Sequence, residues 1–544
     1  MLWTVLAWTL GALLLLIVTL VAIIVVMYLR ADFLEPHISL NINSLAQQND
    51  STLRKNRYGL WEAHIKGEAT KRGAKYGVLC SELIKHQEDA FYHRLLELIP
   101  SRRWMKPLHN IIILFNRNMA RHIPEEYRNE IYAMSLSASD QYNDYSAKYV
   151  RQLNYHAAHD IGHVMQEYML VGCTSFAAWG SRSATGELIV ARNFDFYLGD
   201  DFAKNKMVLF VEPTEGYRFV SLAWPGMMGV VSGMNEHGLT ITLNALKGDI
   251  PTSSAMPISL LARHIMQHAT TIDEAYAIAK EAKCFVSESM LVASAKDGCA
   301  AIIEKTPKCT AIYHSEESQI LCTNHAQSEE LRGQRRNIRN MATSDSPYRY
   351  ERLKELVERH TPIDIESAIA ILRDTRGKSD SDIGLGNEKA INQLIAFHSV
   401  VFEPTKLRLW VSTAPWQLGE FVCYDIGKVF SGELCSKESY ALEELTIAAD
   451  DAAISEIHPR ITRFRELCTL MRTHTKEHSH IAEEVIAEFS ILNPSHYLTH
   501  DLLGDYMLAM GDKAQAATHW RRALELEIPH EHERATIEKK IRKI

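Results

Sequence analysis

Two short segments, Gly172-Cys173 and Arg192-Asn193-Phe194-Asp195, carry the residue types of a thiol nucleophile with charged partners. A thiol becomes nucleophilic when its pKa falls or its proton is taken, and a nucleophile at a new chain terminus can use its own α-amino group as the base. Glycine before cysteine permits backbone geometry that other residues resist, so the Cys173 thiol is suited to attack the Gly172 carbonyl and cut the chain there. Cys173 then becomes a first residue, and its amine, with a reference pKa of about 7.7–8.0, takes the thiol proton near neutral pH. Residues 192 and 195 are three apart, which on a regular strand aims them at opposite faces. Both approach one thiol only if the strand ends or kinks at Asn193. Met in this way, Asp195 holds the terminal ammonium and Arg192 favours the thiolate; otherwise the two form an ordinary surface ion pair.

These residues need a scaffold, and the chain offers one in parts. Leu2 to Leu29 carries no charged side chain; at about 1.5 Å per residue that length exceeds the roughly 30 Å of a bilayer core. It runs straight into Arg30 and lacks the basic start and small-x-small cleavage site of a signal peptide, so residues 1–29 are expected to be an uncleaved single-pass anchor. Residues 30–50 are polar and aperiodic and are expected to form a short stalk. Residues 51–172 are expected to be a helix-rich leader domain, a released N-terminal fragment or subunit after cleavage, from the spacing of Leu83, Ala90, Leu95 and Leu98 and of Tyr127, Ile131 and Met134.

The texture changes at Gly172. Short β-type runs at 173–179, 188–194, 207–211, 219–224, 229–234 and 239–246 suggest an antiparallel meander, with turn chemistry at Ala184-Thr185-Gly186 and Asn235-Glu236-His237-Gly238. A helical stretch near 257–280, strands from 289 to 324, helices at 350–360 and 365–373, and strands at 396–402 and 407–412 follow. That order predicts an α+β catalytic domain over 173–430, with two packed antiparallel sheets covered by helices. Residues 438–544 read as a helical tail. Leu503, Gly504, Gly511, Ala516, Trp520 and Ala523 fall where one tetratricopeptide-like unit places its packing residues, which suits helices docked on the catalytic body or on a protein partner.

With 544 residues, 46% hydrophobic and 23% charged, composition is that of an ordinary globular chain of about three units. Lys and Arg number 59 against 67 Asp and Glu, a formal charge of −8, so no large basic surface offers itself to nucleic acid. Nine cysteines in irregular positions make neither a disulfide framework nor a zinc ribbon. Those in apolar runs, such as Cys80, Cys322 and Cys423, read as small buried hydrophobes.

The ordered blocks Gly172-Cys173-Thr174-Ser175-Phe176, Gly186, Arg192-Asn193-Phe194-Asp195 and Gly233-Met234-Asn235-Glu236-His237-Gly238-Leu239 resemble the acyl-coenzyme A:6-aminopenicillanate acyltransferase family. That family belongs to the N-terminal-nucleophile hydrolases, with choloylglycine hydrolases and acid ceramidase as relatives. The resemblance runs from near Gly59 to about Pro415 and covers neither the anchor nor the tail. It implies a four-layer αββα sandwich, with Cys173 as nucleophile, Arg192 beside it and Asp195 holding the new amine. It further implies that Asn244 is the oxyanion-hole asparagine, that Asn324 is a second site asparagine near the amine, and that Arg349 is the distal arginine. Arg352, close by, leaves that last register open between the two.

Acyl transfer fits such a set. Thiolate attack on an amide or ester carbonyl develops an oxyanion, and one strong donor stabilises it by about 3–4 kcal/mol. An acyl-thioester on Cys173 results, released by water in a hydrolase or by a bound amine in an acyltransferase. The expected partners are therefore a small-molecule acyl amide, an acyl acceptor where transfer occurs, the membrane through residues 1–29, and a protein partner for the tail. No cofactor, metal or nucleic acid is called for. The anchor and the family habit put the body outside the cytoplasm.

Two other readings compete. His156, His159 and His163 share one helix face with the spacing of a zinc-protease helix, but Asp160 stands where that motif carries Glu and Gly162 weakens the helix, so packing or surface roles are favoured. No Gly-x-Ser-x-Gly elbow supports a serine hydrolase. The alternative from a different class is a membrane-tethered helical-repeat interaction protein with an inactive catalytic domain, which predicts a chain that stays intact.

Overall fold

In the computed structural model, residues 2–40, 50–99, 101–157, 160, 172–248, 251, 253–434 and 438–544 are described. Their strands are β1 Thr52–Lys55, β2 Trp61–Gly67, β3 Thr174–Ala178, β4 Ile189–Phe194, β5 Met207–Pro213, β6 Phe219–Ala223, β7 Ser232–Asn235 and β8 Leu239–Ala245. They continue with β9 Glu288–Ser294, β10 Cys299–Lys305, β11 Thr310–His314, β12 Gln319–Cys322, β13 His398–Glu403, β14 Arg408–Ser412, β15 Phe421–Asp425 and β16 Ala441–Ile447. Among the described residues these make a nine-stranded sheet, β1-β2-β5-β6-β7-β8-β9-β10-β11, and a seven-stranded sheet, β12-β3-β4-β13-β14-β15-β16. The α+β class with two sheets is as expected. The expected meander divides, because β3 and β4 lie in one sheet and β5 to β8 in the other.

The strands read as almost continuous apolar runs because both faces are covered. Val190, Val400, Phe402 and Val411 of the smaller sheet meet Val208, Phe210, Val220 and Leu222 of the larger in a core between the sheets. One step along the same strands the side chains reverse. Ala191, Val401 and Trp410 pack beneath the helices Ser346–His360 and Ile365–Leu372. On the far side, Leu209, Ile241, Leu243 and Val292 pack against the helices Ile258–His268 and Ile272–Glu281. The layers therefore run helix, sheet, sheet, helix.

The leader carries several helices, with Tyr127, Ile131 and Met134 buried on the helix Glu125–Ser135. It is not a separate layer, however. β1 and β2 belong to the nine-stranded sheet, and β2 pairs in parallel with β5 from Trp61↔Met207 to Gly67↔Pro213. Buried Glu130 bridges the two parts as well, through Arg72 of the leader and Arg263 of the helix Ile258–His268, each at 2.5 Å. The stalk also departs from expectation: Phe33 is buried, and its carbonyl accepts from the Tyr149 hydroxyl at 3.2 Å. Residues 41–49 of that segment lie outside the described residues. Ahead of it the helix Leu2–Leu29 contains a span, Trp8–Leu29, long and apolar enough to cross a membrane.

Beyond Glu438 the chain makes one more strand before the tail. Ala441–Ile447 falls in the stretch expected to be helical, yet it pairs as β16 with β15. Helices then follow at Asp451–Glu477, Glu483–Leu492, Tyr497–Ala509, Lys513–Leu524 and Glu531–Arg542. The tail docks on the body: Leu394 and Leu418 share a core with Phe464, Leu467 and Met471. At its far end His530 meets Glu388 at 2.6 Å, and Glu527 meets Lys389 at 2.6 Å.

Candidate active site

Cys173 is buried one residue ahead of β3, where pairing with β4 sets Thr174 opposite Asn193 and Ser175 opposite Arg192. Arg192 therefore projects between the sheets on the Cys173 side. Its Nη2 donates to Cys173 Sγ at 3.4 Å and to the Leu243 carbonyl. Its Nη1 donates to the Val231 carbonyl and to Ser232 Oγ, both at 2.5 Å. The guanidinium lies 4.3 Å from the centre of the Phe194 ring. A planar fork with several fixed acceptors has little freedom, so its charge is held beside the sulfur. Burial pushes the Cys173 thiol pKa up, Arg192 opposes this, and Asp195 reinforces it.

The break needed between Arg192 and Asp195 occurs one residue later than expected. Asn193 remains in the strand, buried on the face toward the helix Ile365–Leu372, where its Nδ2 donates to the Leu372 and Ile391 carbonyls and its Oδ1 accepts from Ser399 Oγ. β4 stops at Phe194, and Phe196 N–H turns back onto the Phe194 carbonyl at 3.2 Å. Asp195 sits in that turn. Its backbone carbonyl accepts from Gly172 N–H at 3.1 Å, which ties it to the residue before the thiol. Both of its carboxylate oxygens are buried and, among the described residues, neither has a hydrogen-bond donor. Burial outweighs the attraction of Arg349 and Arg192 and pushes the Asp195 pKa up to about 8.

The distal side is organised by Arg349, buried on the helix Ser346–His360. Nη1 donates to the Cys173 carbonyl at 2.8 Å and to Thr174 Oγ1 at 2.9 Å, Nη2 to Asn324 Oδ1 at 2.7 Å, and Nε to Asp345 Oδ2 at 2.7 Å. Arg352 turns elsewhere, to Asp374, Asp380 and Glu355. Of the two arginines that the sequence leaves open, Arg349 is the one that touches Cys173. Asn324 also donates to the Ala245 carbonyl at 3.0 Å, joining the second residue after β12 to the end of β8. Asn244 is nearby but differently engaged. Its Oδ1 accepts from Ser175 Oγ at 2.8 Å, while Nδ2 donates to the Cys322 and Thr323 carbonyls at 3.2 and 3.4 Å. Meeting an oxyanion requires Asn244 to exchange one of those long bonds.

Two site neighbours escaped the sequence reading. His398, buried at the start of β13, contacts Ser232 Oγ through Nε2 at 2.8 Å and so shares that hydroxyl with Arg192. Burial, then Arg192 and Lys206, holds its pKa well below the usual histidine value. Gln393 donates from Nε2 to the Gly172 carbonyl at 3.1 Å. Both sit, with Asn392 and Ser399, among the polar residues of the otherwise apolar run from Ala390 to Phe402.

From Arg192 an aromatic series leads away: Phe194 stacks on Phe196 with centroids 5.6 Å apart, and Phe196 on Trp224 at 6.0 Å. Phe196, Phe202 and Trp224 line a cleft closed on its other side by Ile84, Phe91 and Tyr155 of the leader. His156 does not serve a metal, since Nδ1 bonds the Gln152 carbonyl and Nε2 accepts from Met228 N–H. His159 and His163 lie outside the described residues.

Comparison with known proteins places residues 182–415 in a match to the family described as acyl-coenzyme A:6-aminopenicillanic acid acyl-transferase. An uncharacterised protein of Archaeoglobus fulgidus is 21% identical over 408 residues, or 66% of this chain, and the chain spans 65% of that relative's length. A solved structure of the Caenorhabditis elegans N-acylethanolamine-hydrolyzing acid amidase ortholog aligns at 18% identity and TM-score 0.31, over 43% of this chain and 93% of its own. A mutant of the conjugated bile acid hydrolase from Clostridium perfringens aligns at 12% identity and TM-score 0.31, over 44% and 89%.

Proposed function

We propose, on the match of residues 182–415 to the family described as acyl-coenzyme A:6-aminopenicillanic acid acyl-transferase, that this chain is an N-terminal-nucleophile amide hydrolase or acyltransferase that cuts itself ahead of Cys173. One observation carries the self-cleavage. Among the described residues Asp195 is a buried carboxyl group without a donor, bonded through its own backbone to Gly172. A buried carboxylate of that kind is costly, and cleavage at the Gly172 carbonyl would create an ammonium beside it. The pair would lower the Asp195 pKa and fix the new amine as base for the thiol.

In the mature protein the Cys173 thiolate, favoured by Arg192, attacks a substrate carbonyl and forms an acyl-thioester. Asn324 and Arg349 orient the amine and the Cys173 backbone, and Asn244 holds the oxyanion after exchanging a carbonyl bond. Water or an amine then takes the acyl group. The stacked rings of Phe194, Phe196 and Trp224 place apolar surface beside Arg192, and the helix Leu2–Leu29 anchors the enzyme to a membrane.

Intact-mass analysis of the full wild-type chain and of Cys173→Ala tests this reading. Two fragments meeting between Gly172 and Cys173 are expected from the first, and one uncut chain from the second. A wild-type chain that stays whole under all maturation conditions would leave an inactive, tethered interaction protein as the better account.

A further inference from the structure

Gln393 lies on the bond that self-cleavage would break, and we infer that its amide is the oxyanion donor for that cleavage. The inference rests on the self-cleavage reading and adds the residue that makes the Gly172 carbonyl electrophilic. Gln393 Nε2 donates to the Gly172 carbonyl oxygen at 3.1 Å, and the donor is buried. The contact is close enough that a Cβ at residue 172 would stand 2.5 Å from the same nitrogen, so glycine is what lets the amide reach this carbonyl. Serving the scission and serving turnover are then separate tasks, since Asn244 has its amide on other carbonyls.

The turn around Gln393 is built to hold it still. Asn392 Oδ1 accepts from Leu394 N–H at 2.9 Å, and Asn392 N–H donates to the Asp374 carbonyl at 2.8 Å. Leu394 has φ 55°, in the left-handed region that leucine rarely adopts. Its side chain is locked in the core shared with the tail helix Asp451–Glu477. A donor so fixed acts without reorganising when charge appears on its acceptor.

The step balances within the chain and one water. The Cys173 thiol gives up its proton and Sγ bonds to the Gly172 carbonyl carbon, while the π pair moves to the oxygen that Gln393 N–H holds. The carbonyl re-forms, the bond to Cys173 nitrogen breaks, and that nitrogen takes up the released proton. The resulting thioester between Gly172 and Cys173 is hydrolysed by water to a Gly172 carboxylate, a free thiol and an α-ammonium.

The test follows processing of freshly synthesised full-length chain by intact mass, in wild type, Gln393→Met and Gln393→Glu, with Cys173→Ala as the uncut reference. Gln393→Met keeps the size and removes the N–H; cutting about 10²–10³-fold slower is expected. Hydroxylamine, which intercepts thioesters, should not restore its rate, because the missing step precedes the thioester. Gln393→Glu should cut slowly at pH 8 and faster as the pH falls and its carboxyl group becomes an O–H donor. A purely structural loss would show no such reversal. Wild-type cutting rates in both variants, or full rescue of Gln393→Met by hydroxylamine, would overturn the inference while leaving self-cleavage standing. An uncut wild-type chain would instead remove the reading beneath it.

Discussion

Arg465, on the long first helix of the tail, donates from Nη2 to the carbonyl of Leu394 at 2.7 Å, one residue beyond Gln393. The guanidinium also lies 5.0 Å from the Trp416 ring centre. The tail thereby reaches within two residues of the atom that contacts the Gly172 carbonyl. Arg465→Met keeps the apolar stem and deletes the donor, which at a partly buried carbonyl costs about 1–3 kcal/mol. Slower self-cleavage and a lower melting temperature in the Cys173→Ala background are expected. Unchanged values of both would show that the tail does not hold this turn.

Asp195 gives the uncut chain a definite pH signature. Its folded pKa is raised from 3.8 to about 8, so the folded chain keeps a proton that the unfolded chain releases above about pH 4. The stability it contributes is full below that pH, falls as pH rises through the interval, and is lost above about 8. Melting of Cys173→Ala between pH 4.5 and 8.5 should therefore decline relative to Cys173→Ala/Asp195→Asn. Parallel curves would mean that Asp195 is ionised in the fold.

The two neighbouring arginines should separate cleanly. Arg349→Met strips the Cys173 carbonyl, Asn324 and Asp345 of their donor, and breaking such a buried charge pair costs about 3–5 kcal/mol. Self-cleavage and amidase activity should both fall by at least about 100-fold. Arg352→Met loses its bonds to Asp374 and Asp380, so melting should drop while kcat of the folded fraction is retained. An active Arg349→Met enzyme, measured on a panel of acyl amides, would contradict the assignment.

Gly504→Ala reports on the tail. A Cβ there would sit 2.5 Å from the indole of fully buried Trp520. Alanine gains about 1 kcal/mol over glycine in a helix, but overpacking a core costs about 1–3 kcal/mol. Net destabilisation is expected in thermal unfolding of the full chain. A stabilised variant would show that the two helices separate easily.

Sequence periodicity located β3 to β8 because their residues form short apolar runs bounded by turn residues, and it placed β9 to β12 only as a group within 289–324. β1 and β2 were missed for the opposite reason: Thr-Leu-Arg-Lys and Trp-Glu-Ala-His-Ile-Lys-Gly are polar, and β2 takes a parallel partner far along the sequence. Ala441–Ile447 fell in a tail expected to be helical because it is rich in the helix formers Glu, Lys and Ala, and tertiary pairing with β15 overrode propensity. Cys173, Arg192 and Asp195 were legible from residue type and spacing, whereas Asn324 and Arg349 came only with the family resemblance, which left Arg349 open against Arg352; in the structure Arg192 and Arg349 both contact Cys173, and Arg349 holds Asn324. Gln393 and His398 were not legible, since each acts on residues more than 150 positions away, Gly172 and Ser232. Asp345 was equally silent, because only the helix turn that links it to Arg349 gives it meaning.

The parallel pairing of β2 with β5 stitches the polypeptide on either side of Cys173 into one sheet. A hydrolysed peptide link at that point severs covalent continuity without freeing either half. The sulfur would keep its leash to whatever bilayer receives the amino-terminal helix. Amphiphiles dissolved in that bilayer would then meet the enzyme by two-dimensional diffusion.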